Sequence, residues 1–243
     1  MARRKRSRSK RTGATMSRAA KMAMFLLVIA LIAAAYAWTE GRSWRPDEAL
    51  WPDQGAMIGA ADGPVAFDTL AGLGAGFAYL EASRGAQGKD VGFAQNFARA
   101  RDAGLEVGAV HVFDACAVAD GQSANFVTMV PRDQSLLPPV ILLEETAQDC
   151  PERVSEAAVQ SELMTLVNQI EAHAGKAVIL APSEAFEEAY AVSRRIDRQL
   201  WLTRSWFEPD YASRPWLMWT ANRWYKSEAA DRPLRWAVVQ PLS

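Results

Sequence analysis

The sequence is poor in the residues that build metal and thiol chemistry. It holds two cysteines, Cys116 and Cys150, and two histidines, His111 and His173. These four show no ligand spacing of a known type, so no metal centre is expected, and no cofactor either. No acidic residue precedes Glu40. There is no internal repeat, which excludes a solenoid. Low-complexity sequence is confined to a basic N-terminus.

That N-terminus carries Arg3, Arg4, Lys5, Arg6, Arg8, Lys10, Arg11, Arg18 and Lys21. An unbroken apolar run, 22–38, follows it. At about 1.5 Å per residue the run spans roughly 26 Å, close to a hydrocarbon core of about 30 Å. Positive charge ahead of the run predicts residues 1–21 in the cytoplasm and the rest outside. Two readings stay open. One is a single-pass anchor ending in Tyr36 and Trp38, which suit the membrane interface. The other is a cleaved signal, with Ala33-Ala34-Ala35 or Ala35-Tyr36-Ala37 as the small-residue site, giving a secreted protein. Either places the remainder beyond the cytoplasm.

Charge is therefore counted by segment. The chain has 27 basic and 28 acidic residues; removing the nine tail cations leaves 18 against 28, a net of −10 for 39–243. Such a domain has no electrostatic footprint for nucleic acid. In an oxidising compartment an isolated cysteine pair is most simply a disulfide, so Cys116 is expected to bridge to Cys150. The loop-entropy model gives that bridge roughly 3–4 kcal/mol.

Residues 39–54 are polar, with Pro46 and Pro52, and read as a linker. Residues 55–243, about 190, suit one domain with a sizeable core. Strand-like runs fall at 56–61, 76–82, 106–113, 139–144, 177–181, 200–203, 216–220 and 234–239. Helical patterns lie between most of them. The strongest is 155–174, with Ser155 as N-cap, a stripe of Leu163, Leu166, Val167 and Ile170, and Gly175 as its end. Strands alternating with helices predict a mainly parallel sheet. Eight strands in one domain favour a closed or nearly closed barrel over an open doubly wound sheet. The expected fold is α/β, a small TIM-like (β/α) barrel preceded by an N-terminal transmembrane helix.

Chemistry in such a barrel sits at the C-terminal ends of the strands. The run Leu137-Pro138-Pro139-Val140-Ile141-Leu142-Leu143 delivers Glu144 and Glu145 to such an end. Glu81 ends the second strand and His111 lies near the end of the third. Trp201, Trp206, Trp219 and Trp224 follow on later strands and loops. A carboxyl group in an aromatic-lined cleft suits a general acid toward a glycosidic oxygen. Aromatic faces pack on sugar rings. These are the materials of a carbohydrate site.

The order of motifs resembles family-25 glycoside hydrolases, lysozymes of the N-acetylmuramidase type with a compact β/α barrel. Met57-Ile58-Gly59-Ala60-Ala61 with Asp62-Gly63 is similar to the family's Gly-Ile-Asp-Val-Ser strand and its Gln-Gly. Phe77-Ala78-Tyr79-Leu80-Glu81-Ala82-Ser83-Arg84-Gly85 resembles Phe-Val-x-Ile-Lys-Ala-Thr-Glu-Gly. Residues 90–97 and 103–113 resemble Asp-Pro-x-Phe-x-x-Asn and Ala-Gly-Leu-x-Val-Gly-Ala-Tyr-His-Phe. Gln122-Ser123-Ala124-Asn125-Phe126 looks like the family's Gln-Ala-x-x-Phe helix start. Residues 137–144 look like Leu-Pro-Pro-Val-Leu-Asp-Val-Glu. Leu200-Trp201-Leu202 and Trp219 are similar to its later Leu-Trp and Trp-Gln-Tyr strands.

The resemblance implies hydrolysis of peptidoglycan with Glu144 as the acid. It also exposes departures: the family's Asp of that motif falls on Leu142, its first-strand Asp on Gly59, and its second-strand Lys on Glu81. An oxocarbenium-like transition state needs an electrostatic partner to the acid. Glu81 is the preferred second carboxylate, because its strand end faces the same mouth; Glu145, Asp62 and Asp114 are the other choices. His111, Trp201, Trp219 and Glu145 are the expected substrate-binding residues. Three functions follow: an active, membrane-anchored monomeric muramidase; a catalytically inactive glycan-binding or envelope scaffold on the same barrel; or a structural protein docking a partner.

Overall fold

A computed structural model describes residues 17–241. The basic tail read from sequence lies largely in 1–16, outside the described residues. The chain divides into two units, 1–41 and 42–243.

Among the described residues of the first unit, all but Ser17 lie in one helix, α1 (Arg18–Ser43), whose last two residues belong to the second unit. Its 26 residues would reach about 39 Å, and it is long and apolar enough to cross a membrane. A signal sequence would satisfy the same test. The helix runs past the apolar stretch at both ends, so the segment read as a linker is helical up to Ser43.

In the second unit the strands, among the described residues, are β1 (Gln54–Ile58), β2 (Phe77–Arg84), the two-residue β3 (Gly88–Lys89), β4 (Glu106–Val112), β5 (Val140–Leu143), β6 (Ile179–Pro182), β7 (Gln199–Thr203), β8 (Met218–Tyr225) and β9 (Leu234–Val239). All but β3 form a closed ring in the order β1-β9-β8-β7-β6-β5-β4-β2, with β1 pairing back onto β2. Each of the eight strands read from the sequence is present. The pairings from β1 through β2, β4, β5, β6 and β7 to β8 are parallel. The last strand departs from that rule: β9 runs antiparallel to both β1 and β8. The connection 226–233 is too short for a crossover, which needs a dozen residues or more, so the chain folds straight back as a hairpin.

Helices α2 (Phe67–Gly72), α3 (Phe93–Asp102), α4 (Ala119–Met129), α5 (Glu156–Ala174), α6 (Glu184–Tyr190) and α7 (Val192–Arg195) cover the outside. The expected caps of α5 are in place: the Ser155 hydroxyl accepts from the Ala158 N–H, and Gly175 adopts φ +68°, a left-handed turn that glycine enters without a Cβ penalty. After α7 no helix covers the barrel among the described residues, as the aromatic, loop-rich last third suggested.

Two cores result from the two-residue period of the strands. Inside the barrel, Tyr79, Val110, Val140, Ile179, Trp201 and Met218 belong to one buried cluster. Outside it, Leu80, Ala109, Ile141, Leu180, Leu202 and Trp236 pack with the helices. The disulfide Cys116–Cys150 is formed, with the Cα atoms 5.4 Å apart. It joins the loop after β4 to the loop after β5, spanning 34 residues of sequence.

The polar segment after α1 is not a loose tether. The Gln54 side chain donates to the carbonyls of Pro46 (3.0 Å) and Trp51 (2.8 Å). The Trp51 ring stacks on Trp216 at 5.9 Å.

Candidate functional site

Alternation along the strands decides which side chains reach the C-terminal mouth of the barrel. On β5, Val140 and Leu142 face inward. The next inward position is Glu144, just past the strand end. The Ser183 hydroxyl donates to the Glu144 carbonyl at 3.1 Å, which pins its backbone to the end of β6. The Glu144 side chain lines a cleft of about 430 Å³ together with Leu142, Ser183, Thr203, Arg223 and Arg235. Trp201 and Met57 form part of its floor.

Glu81 faces the same mouth from β2. Its carboxylate accepts from Arg235 Nη2 at 2.6 Å. Arg84 Nη2 lies 3.7 Å from Glu81 Oε2 and 3.9 Å from Glu144 Oε2. The sum of those two distances, 7.6 Å, is the widest separation the two oxygens can have. Carboxyl pairs of glycosidases span about 5–9.5 Å, so the two lie within working reach of each other.

Gly59 explains how Glu81 comes to be there. A Cβ built on Gly59 would sit 2.7 Å from Glu81 Cδ and 2.8 Å from its Oε2. The Glu81 carboxylate thus occupies the space above β1 that a longer residue at position 59 would need. Next to it, the Asp62 carboxylate accepts from the Gly59 N–H at 2.8 Å and lies 3.8 Å from Arg235. Burial pushes the Asp62 carboxyl up, against the pull of that N–H and of Arg235. The mouth therefore holds Asp62, Glu81 and Glu144, interleaved with Arg84 and Arg235. Arg235 was missed in the sequence, although its signal was present: it alternates with the apolar outward-facing Leu234 and Trp236 on β9.

Glu145 points away from this cleft. It lines a neighbouring hollow of about 490 Å³ with Arg84, Gln87, Phe113 and Asp114. Asp114 is engaged locally, its carboxylate accepting from the Cys116 N–H at 2.8 Å.

His111, expected as a substrate contact, is 0% exposed. It lies between Val110 and Val112, which face into the barrel, so it faces out toward the helices. The Gln122 amide donates through Nε2 to the carbonyls of Asp114 and Ala117, and its Oε1 accepts from the Asp114 N–H. That fixes Oε1 as an acceptor, so His111 Nε2–H donates to it (3.2 Å) and Nδ1 accepts from the Ser83 hydroxyl (2.8 Å). Burial pulls the His111 pKa down to about 4, with Gln122 opposing and Arg84 reinforcing.

A depressed folded-state pKa has a definite sign. The neutral ring stabilises the fold fully above the unfolded value of about 6.5, and this is lost as pH falls toward 4. The window carries on the order of 3 kcal/mol. Denaturant midpoints should fall between pH 7 and pH 5, and His111→Asn should flatten that dependence. An unchanged slope in the variant would show that other groups carry it.

The expected aromatic platform is also displaced. Trp201 sits inside the barrel and its Nε1–H donates to Thr220 Oγ1 at 2.8 Å, so only an edge reaches the cleft. Trp219 points outward between Met218 and Thr220. It packs against Trp51 and Trp216, with ring centres 5.6 and 6.3 Å away, and its Nε1–H donates to the Arg204 carbonyl at 2.7 Å. Trp224 is exposed and Trp206 is partly so. Among the described residues no three His, Cys, Asp or Glu side chains are grouped so as to hold a metal ion.

Comparison with known proteins bears on the fold and the family. Solved structures that share the fold include the following three. A family 25 glycosyl hydrolase from Bacillus anthracis superposes with a TM-score of 0.73 at 22% identity, covering 83% of this chain and 94% of that one. A bacterial lysozyme from Streptomyces coelicolor gives 0.68 at 17% identity, covering 79% and 93%. A family GH25 lysozyme from Aspergillus fumigatus gives 0.66 at 17% identity, covering 78% and 94%. No curated protein matches the chain at a significant level. The family model described as glycosyl hydrolases family 25 matches residues 58–230, from the end of β1 to the approach of β9, and the chain belongs to that family.

Proposed function

We propose that the chain is a lysozyme-like hydrolase of peptidoglycan, cutting the β-1,4 bond between N-acetylmuramic acid and N-acetylglucosamine. Family membership and lysozyme-fold neighbours support the class. The observation that carries retained activity is the placement of Glu81. With Gly59 and Leu142 at two positions where the family resemblance implies carboxylates, Glu81 returns one to the mouth by reaching over Gly59.

In this reading Glu144 protonates the glycosidic oxygen as its bond to the anomeric carbon breaks. The Glu81 carboxylate, held by Arg235, stabilises the positive charge that develops on that carbon. Water then adds there, and a carboxylate of the pair takes its proton. Arg84 keeps the two carboxylates within reach of each other.

The chain is further proposed to divide as a cytoplasmic tail (1–21), a membrane anchor or signal segment (22–38), a linker (39–54) and a monomeric hydrolase domain (55–243). That domain would stand in the periplasm or outside the cell, tethered to the membrane or, if the segment is cleaved, secreted. Leu142 and Gly59 favour a second reading, an inactive glycan-binding scaffold. Purified peptidoglycan incubated with the full-length chain separates the two. Release of new reducing ends is expected; sedimentation with the polymer and no release would replace the hydrolase by the scaffold.

A further inference from the structure

The cleft is lined by three ionisable side chains, Glu144, Arg223 and Arg235. Glu144 lies beside Arg84, and Arg235 is paired with Glu81. Arg223 makes no ion pair among the described residues, although it belongs to a segment with a net charge of −10, the balance of 18 basic and 28 acidic residues in 39–243. Two of the hydroxyls lining it have internal partners: Ser183 donates to the Glu144 carbonyl and Thr220 accepts from Trp201.

The backbone around Arg223 is held in place. The register between β8 and β9 shifts from Thr220 to Asn222 and again before Tyr225, and such irregularities re-aim the side chains they carry. The Arg223 N–H donates to the Ser205 hydroxyl at 3.2 Å, and the Trp206 N–H donates to the Ala221 carbonyl at 2.8 Å. The Asn222 amide donates to the Trp44 carbonyl at 2.7 Å. A guanidinium left over at the wall of a cleft, on a fixed root, is built to meet an anion. Its planar fork matches a carboxylate.

We infer that Arg223 is a specificity-determining residue that takes a carboxylate carried by the bound glycan, so that the cleft selects acidic over neutral N-acetylated sugar chains. The inference rests on the hydrolase reading and names the chemical class of its substrate. In peptide-free peptidoglycan strands that carboxylate is the lactyl group.

The test uses the full-length chain in detergent micelles, with Glu144→Gln throughout to prevent turnover. Calorimetry compares three probes: a neutral N-acetylglucosamine oligomer, a peptide-free strand with free lactyl carboxylates, and the same strand with those carboxylates amidated. Adding Arg223→Gln should raise the Kd of the free-carboxylate strand about tenfold. The neutral and amidated probes should stay within about twofold, and Arg223→Lys should fall between. Equal weakening of all three probes, or of none, overturns the role of Arg223 and leaves the hydrolase reading standing. Failure of every probe to bind overturns both.

Discussion

Exchange of Glu144 for glutamine should lower the release of reducing ends from peptidoglycan by about 10²–10⁴-fold, the usual contribution of a positioned proton donor. Glutamine keeps the shape of the side chain and its backbone anchor to Ser183, so the variant should still sediment with the polymer. Stability should change by no more than about 0.5 kcal/mol, because the lost partner is the half-exposed Arg84 at 3.9 Å. Loss of turnover with intact binding and folding identifies the proton donor. Equal turnover in both proteins clears Glu144 of that role.

The second large effect concerns Glu81. On the proposed mechanism, Glu81→Gln removes the negative charge that faces the anomeric carbon and should cost about 10²–10³-fold in turnover, the scale of losing one preorganised electrostatic group. Gly59→Asp should damage the same site from the other side. Its Cβ would lie 2.7 Å from Glu81 Cδ, pressing a second carboxylate onto the first. Combining Gly59→Asp with Glu81→Lys replaces that like-charge contact by an Asp–Lys pair across β1 and β2, as the family resemblance implies, with the flexible lysine turned away from the new Cβ. The double variant should therefore recover turnover relative to Gly59→Asp alone. Wild-type turnover in Glu81→Gln, together with no recovery in the double variant, would remove Glu81 from the chemistry.

Much of this architecture was legible in the residues. The eight apolar runs became the eight barrel strands, and Ser155 and Gly175 marked α5 because their side-chain and backbone chemistry act locally. The direction of β9 was not legible. A strand's inward and outward alternation is the same in either direction, and only the short 226–233 connection hinted at a hairpin. The outward placement of His111 and Trp219 was encoded but overlooked: each sits between two inward residues, Val110 and Val112 in one case, Met218 and Thr220 in the other. The use of Glu81 in place of a residue at 59 needed coordinates, because it depends on the gap between β1 and β2 and not on any local pattern.

The antiparallel β9 has a consequence for biogenesis. Position 54 pairs with Val238, so the first and last strands of the ring close on each other. A nascent polypeptide presents Glu81 and Glu144 long before Arg235 follows. The charged rim is complete only when β9 slots between β1 and β8, once nearly the whole domain has been synthesised.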